Sequence, residues 1–189
     1  MQKIVSIDNL ARIISKLKMK GKKVVLCHGV FDLLHIGHIK HFEEAKKLGD
    51  VLIVTLTSDQ YVYKGPGRPA FNIKLRSEAI AALEAIDFVS INASPTATLP
   101  IQKIKPHIYC KGPDYKNHHN DVSGQIMNEI KAVKKIGGKI VYTSDITFSS
   151  SNLLNKYSNL YSNQQRSIIN RIKKKYDFKQ IRELIEDFK

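Results

Sequence analysis

KKVVLCHGVFDLLHIGH, residues 22–38, is the stretch on which the reading of this chain turns. Its first part, KKVVLCHG, reads as a buried strand. A helix from about Ile36 to Leu48 follows and is stopped by Gly49. GVFDLLHIGH, residues 29–38, therefore leaves the carboxyl end of the first strand, where ligands bind in an open α/β sheet. His35 falls where the helix begins and His38 lies one turn on, so both can project toward one point. Gly37, between them, lets a ligand approach the backbone closely.

The same grammar extends in both directions. Upstream, Leu10, Ile13, Ile14 and Leu17 recur at the spacing of an amphipathic helix, with Asp8 as its N-cap and Gly21 just past its end. Downstream, DVLIVTLTSD (50–59) is a second strand with both faces covered. KGPGRPA (64–70) is a loop, because two glycines and two prolines exclude regular structure. A helix over about 73–85, a strand at DFVSI (87–91), a short helix near 99–104 and a strand at HIYCKG (107–112) follow. PDYKNHHN (113–120) is a polar loop, 122–136 is helical, GKIVYT (138–143) is a fifth strand, and SSSNLLN (149–155) opens a new helix.

Strands that alternate with helices predict a five-stranded parallel sheet wound on both faces, a Rossmann-like α/β fold with an N-terminal helix. That unit is complete at Asn155, so residues 1–155 are expected as one domain and 156–189 as a helical extension. In the extension, Ile168, Ile169, Ile172 and Tyr176, then Phe178, Ile181, Leu184, Ile185 and Phe188, mark two amphipathic helices. Their stripes need a surface, either on the α/β unit or on a second copy in a closed dimer.

The net charge of +14 raises the question of a nucleic-acid partner. Residues 1–23 carry +6 and residues 156–189 carry +5, whereas the 132 residues between them carry only +3. The excess thus belongs to the ends, where it reads as solvated helix faces. RNA binding through those ends is kept as a rival reading; nucleic acid is not the expected partner. Cys27 and Cys110 sit in apolar runs and read as buried free thiols of a reducing compartment. No apolar run is long enough to cross a bilayer, and a cytoplasmic protein without a membrane partner is expected.

The histidine pair can be weighed against several chemistries. A metal centre asks for a third ligand at defined spacing; Asp32 is near, but no CxxC or HExxH accompanies it, and no metal site is expected. His107, His118 and His119 are the other candidates. A serine nucleophile would ask for a GxSxG elbow, which is absent. Two imidazoles, open backbone donors and the positive end of a helix make a phosphate site.

HIGH in this setting resembles the H-x-G-H signature of the nucleotidylyltransferase superfamily. Four further stretches strengthen the likeness: AKKLGDVLIV (45–54), KGPGRP (64–69), CKGPDY (110–115) and TFSSSNLLN (147–155). Together they resemble bacterial heptose-1-phosphate adenylyltransferases and, more distantly, glycerol-3-phosphate cytidylyltransferase. The resemblance implies attack by a sugar phosphate on the α-phosphorus of ATP or CTP, with Mg²⁺, giving an activated sugar and pyrophosphate. It implies that Gly29, Val30, Phe31 and Gly37 cradle phosphates, that His35 and His38 contact the α- and β-phosphates, and that Lys64 bridges the reacting groups. It further implies that Arg68 and Arg76 face the substrate and that Lys111, Gly112 and Asp114 orient the nucleotide. Thr147, Phe148, Ser149, Ser150 and Ser151 would hold the triphosphate. From the residues alone, without the surrounding KGPGRP, Lys64 reads as a solvated loop lysine, and Arg76 reads equally as half of a surface ion pair. Two departures bear on the acceptor: Ser144 stands near where the glycerol-phosphate branch has arginine, and Pro113 replaces a glycine of the heptose branch. The tail resembles the linker joining such domains to a ribokinase-type sugar kinase.

Overall fold

The computed structural model describes residues 3–64, 67–116, 125–144 and 163–176. Its order is α1 (Ile7–Met19), β1 (Val24–Gly29), α2 (Ile36–Lys46), β2 (Val51–Thr57), α3 (Ile73–Ala81), β3 (Phe88–Asn92), α4 (Thr98–Ile104), β4 (Ile108–Lys111), α5 (Ile126–Lys135), β5 (Lys139–Tyr142) and α6 (Asn163–Lys175). The five strands are parallel in the order β3-β2-β1-β4-β5. The expected doubly wound sheet is therefore present. Its winding reverses between β1 and β4, and ligand sites of such sheets lie at that switch point.

Alternation along each strand sorts the core into two layers. Val24 and Leu26 pack with Leu10 and Ile14 of α1, Ile101 of α4 and Val133 of α5. Val25 and Cys27 face the other way, with Phe42 and Ala45 of α2 and Ile80 of α3. β2 is buried along its whole length, and each large apolar side chain so covered is worth about 1.5–3 kcal/mol. The α2–β2 corner needs glycine: a Cβ at Gly49 would lie 2.8 Å from the Lys23 carbonyl. Ahead of α1, Val5 donates to the Val89 carbonyl and Val89 to that of Lys3, covering the exposed side of β3.

Some boundaries differ from expectation. α1 is capped by Ser6, whose Oγ accepts from the Asn9 amide; the extended backbone of Ser6 starts the helix ahead of Asp8, which lies in the first turn and pairs with Lys103. α3 ends at Ala81, and the turn that follows closes through Leu83 and Ile86. Cys27 and Cys110 are buried free thiols, as expected. Residues 122–124, the helix start at 149–155 and the stripe from Phe178 to Phe188 lie outside the described residues. The chain divides into two compact units, 1–150 and 151–189. In the second, α6 carries Ile168, Ile169 and Ile172.

Candidate active site

Between β1 and α2 the chain makes a bend that few sequences can make. Phe31 takes a left-handed φ of 46°, rarely seen for a bulky residue. The bend brings its ring edge-on to His38 and Phe42, at centroid distances of 5.3 and 5.0 Å. A Cβ at Gly29 would meet that ring at 2.9 Å, so Gly29 is required by the packing of Phe31.

His35 is the N-cap of α2, and its Nδ1 accepts from the Gly37 amide at 3.1 Å. This corrects the expectation of open donors at the helix start. An extended residue ahead of a helix presents its side chain to first-turn amides, and here that side chain is an imidazole. The His35 and His38 rings stack at 3.8 Å. Burial, then the His35, His41 and Lys64 charges, push the His38 pKa down to about 3, opposed by a hydrogen bond to the Leu33 backbone. Burial also lowers that of His35. His38 is therefore neutral at physiological pH, and its Nδ1 is buried with no hydrogen-bond partner among the described residues. Leaving such an atom unsatisfied costs about 1–3 kcal/mol.

A pH dependence follows. The unfolded chain takes up a proton near pH 6.5 but the folded one only near 3, so the stability conferred by neutral His38 is complete above 6.5. It is lost as pH falls through 6.5 toward 3, at up to ~1.4 kcal/mol per pH unit. Urea midpoints between pH 7 and 4.5 should fall less steeply for His38→Asn than for the parent. Parallel profiles would show that His38 titrates normally.

Asp32 and Arg68 form a buried ion pair, with side-chain exposures of 0% and 6%. Asp32 Oδ2 accepts from Arg68 Nε, and Oδ1 from the amides of Ala70 at 2.6 Å and Phe71 at 3.4 Å. The carboxylate weighed as a third metal ligand is thus the anchor of the 67–71 loop. Arg68 Nη2 is buried without a partner among the described residues. Lys64 lies beside this pair: burial and the Arg68 and Arg76 charges lower its pKa, while Asp32 opposes them.

Arg76, read from sequence as a substrate-side arginine or as half of a surface ion pair, does pair with Asp59, but from a buried position. It is 2% exposed, and it donates to the carbonyls of Phe71 (3.0 Å), Thr57 (2.9 Å) and Val30 and to Asp59 Oδ1 (2.6 Å). Three separate segments meet on one guanidinium, because their carbonyls are out of reach of water and need a donor. Its guanidinium is thus committed, in this structure, to three backbone carbonyls and Asp59.

Lys111, expected to orient the nucleotide, lies in a buried polar cluster. Its ammonium is buried, 3.4 Å from Glu129 Oε2 and 3.8 Å from the Tyr115 ring centroid. Glu129 also accepts from Tyr109 Oη at 2.8 Å and the Ala97 amide at 3.2 Å. Beside this group His28 lies 2.9 Å from Thr55 Oγ1 and 3.3 Å from Thr57 Oγ1, and burial lowers its pKa to about 4 against the pull of Glu129. Sequence reasoning passed over His28; its place at the end of an apolar strand was the available signal. Gly112 precedes the 3₁₀ turn Pro113–Lys116, and exposed Asp114 lies within that turn. His107 is remote from the site, at the amino end of β4, where Nδ1 accepts from the Val24 amide. Thr147, Phe148, Ser149, Ser150 and Ser151, with His118 and His119, lie outside the described residues.

A parallel doubly wound sheet carrying an H-x-G-H pair at the start of the helix after its first strand defines a Rossmann-like nucleotidyltransferase. The chain belongs to the cytidylyltransferase-like family, whose model matches residues 26–156. Over 139 residues it is 42% identical to Bifunctional protein HldE of Aliarcobacter butzleri (strain RM4018), covering 72% of this chain and 29% of that one. To Bifunctional protein HldE of Geobacter metallireducens it is 36% identical over 165 residues, covering 86% and 32%. The chain thus spans about a third of the length of the curated relatives it matches. Among solved structures, the lipopolysaccharide core biosynthesis protein of Thermoplasma volcanium GSS1 superposes with a TM-score of 0.55 at 29% identity, covering 67% of this chain and 100% of that one. Pantoate-beta-alanine ligase of Francisella tularensis shares the fold, with a TM-score of 0.59 at 19% identity over 91% of this chain and 78% of that one. No helix among the described residues is long and apolar enough to cross a membrane.

Proposed function

We propose that this nucleotidyltransferase moves a nucleoside monophosphate from ATP or CTP to a sugar phosphate and releases pyrophosphate. The observation that carries the reading is the stacked His35–His38 pair at the start of α2, with a buried, unsatisfied nitrogen on His38. In this reading His35 and His38 contact the α- and β-phosphates, and Lys64 and Arg68 supply charge beside them. An oxygen of the acceptor phosphate bonds to the α-phosphorus as the bridge to the β-phosphate breaks, and pyrophosphate leaves with the electron pair. The acceptor's second pKa is about 6, so it is ionised and needs no general base. Catalysis is then positioning and charge neutralisation.

Mg²⁺ would arrive on the triphosphate, whose oxygens it favours, and would offset negative charge there. Among the described residues the side chains form no cluster of carboxylates to cage it; the one convergent group is Cys27, His41 and Cys110, a soft donor set ill-suited to that ion. Pyrophosphate release, measured with ATP and CTP against heptose, hexose and glycerol phosphates, tests the proposal. No release with any pair, together with retention of RNA, would favour the rival binding protein.

Lys64 sits in a loop rich in glycine and proline that can close once both substrates are bound. Lys64→Ala should lower kcat by roughly ten- to a hundredfold while calorimetry finds nucleotide affinity little changed. Equal losses in both would make it an ordinary triphosphate ligand.

We assign catalysis to residues 1–155 and read 156–189 as an extension that pairs with a second copy or leads to a sugar kinase domain, in a cytoplasmic protein. The division of the chain at Ser150 supports a separate tail. A chain ending at Asn155 should scatter light as a monomer where the full chain is a dimer. An unchanged mass, stability and turnover would leave the tail as a linker only.

A further inference from the structure

Beneath the H-x-G-H helix lies a cluster that the proposed phosphate chemistry leaves unused. Cys27 of β1 and Cys110 of β4 are register partners on adjacent parallel strands, so their side chains leave the same face of the sheet. His41 of α2 lies over them, and a ligand atom from each of the three lies within 4.8 Å of the other two. We propose that Cys27, His41 and Cys110 form a binding site for a soft divalent cation, with Zn²⁺ as the physiological candidate.

The donor set is the first argument. Two thiolates and one imidazole favour zinc over the hard cations that accompany nucleotides. Tetrahedral zinc holds such atoms about 3.6–3.8 Å apart, given bonds of about 2.3 Å to sulfur and 2.0–2.1 Å to nitrogen. Closing from the present spacing takes about 1 Å, within reach of side-chain adjustment. Second, the imidazole is already oriented: Nδ1 lies 3.0 Å from Thr143 Oγ1, a buried hydroxyl. Ligating histidines characteristically anchor one ring nitrogen in this way and give the other to the metal. Third, both cysteines are fully buried while His41 is partly exposed, so the ion would enter along the His41 edge. Zinc would replace one proton on each thiol and release both to solvent, leaving two thiolates and a neutral imidazole on the metal with a fourth position for water.

The site would also be heard at the reaction centre. His41 and His38 are one turn apart on α2, and ligation draws that helix onto β1 and β4. Zinc occupancy is expected to change the turnover of the intact enzyme several-fold.

The experiment uses the full chain, fully reduced with a reductant that neither carries a thiol nor binds metal. Co²⁺ added alone should give one equivalent of sulfur-to-cobalt charge-transfer absorption with tetrahedral d–d bands, which added Zn²⁺ bleaches. Cys110→Ala should abolish the charge-transfer bands, and His41→Gln should weaken binding at least tenfold. If the cysteine variant fails to fold, X-ray absorption of the zinc-loaded parent chain decides, since it needs no substitution. A shell with two sulfurs and a nitrogen upholds the site; a shell of nitrogen and oxygen only, no charge-transfer absorption in the parent chain, or bands of undiminished strength in Cys110→Ala, overturns it.

Discussion

Replacing His38 by alanine is expected to reduce turnover by on the order of a hundredfold or more while the protein stays folded. The imidazole is buried against His35 and Phe31, in a site where charge on a phosphate oxygen is poorly screened by water. A donor fixed there acts mainly on the transition state, so its loss should appear in kcat and in kcat/KM alike. The fold should tolerate the change, because alanine also removes the unsatisfied Nδ1. Pyrophosphate release and circular dichroism on the same sample check both halves. Turnover near that of the parent, from a folded variant, would refute the phosphate-gripping role.

Asp32→Ala should act in the opposite sense, on stability first. It leaves Arg68 charged and nearly buried, and it strips the acceptor from two loop amides. Breaking a buried pair from one side costs about 3–5 kcal/mol. Removing both partners is much gentler, so adding Arg68→Met to Asp32→Ala should recover part of the loss. Denaturant unfolding of the two single variants and the double variant measures the coupling. A single variant within about 1 kcal/mol of the parent would mean that water reaches the pair.

The architecture was legible because it is written locally. Buried parallel strands appear as unbroken apolar runs such as VLIVTLT, and helix stops such as Gly49 separate them. The H-x-G-H pair was legible for the same reason, as both histidines fall within one turn of a predictable helix start. What was hidden depends on partners distant in sequence. Arg76 reads as a surface cation until carbonyls at 30, 57 and 71 converge on it. Lys111 has no acidic partner near it in sequence until α5 folds Glu129 over it. Cys27 and Cys110 read as separate fillers until β1 and β4 pair. Periodicity reports which face a residue occupies, and pairing decides whom it meets there.

The bend at Phe31 sets a limit on how this protein can be improved. A left-handed backbone on a bulky residue costs about 1–3 kcal/mol, where glycine would sit at ease. Glycine would relieve that strain but would delete a ring packed on Phe42 and His38, a loss of about 3–5 kcal/mol, so the packing outweighs the strain it requires. The enzyme's heat tolerance and the steadiness of its phosphate grip therefore rest on the same ring, and variants recovered from a thermal screen should retain Phe31.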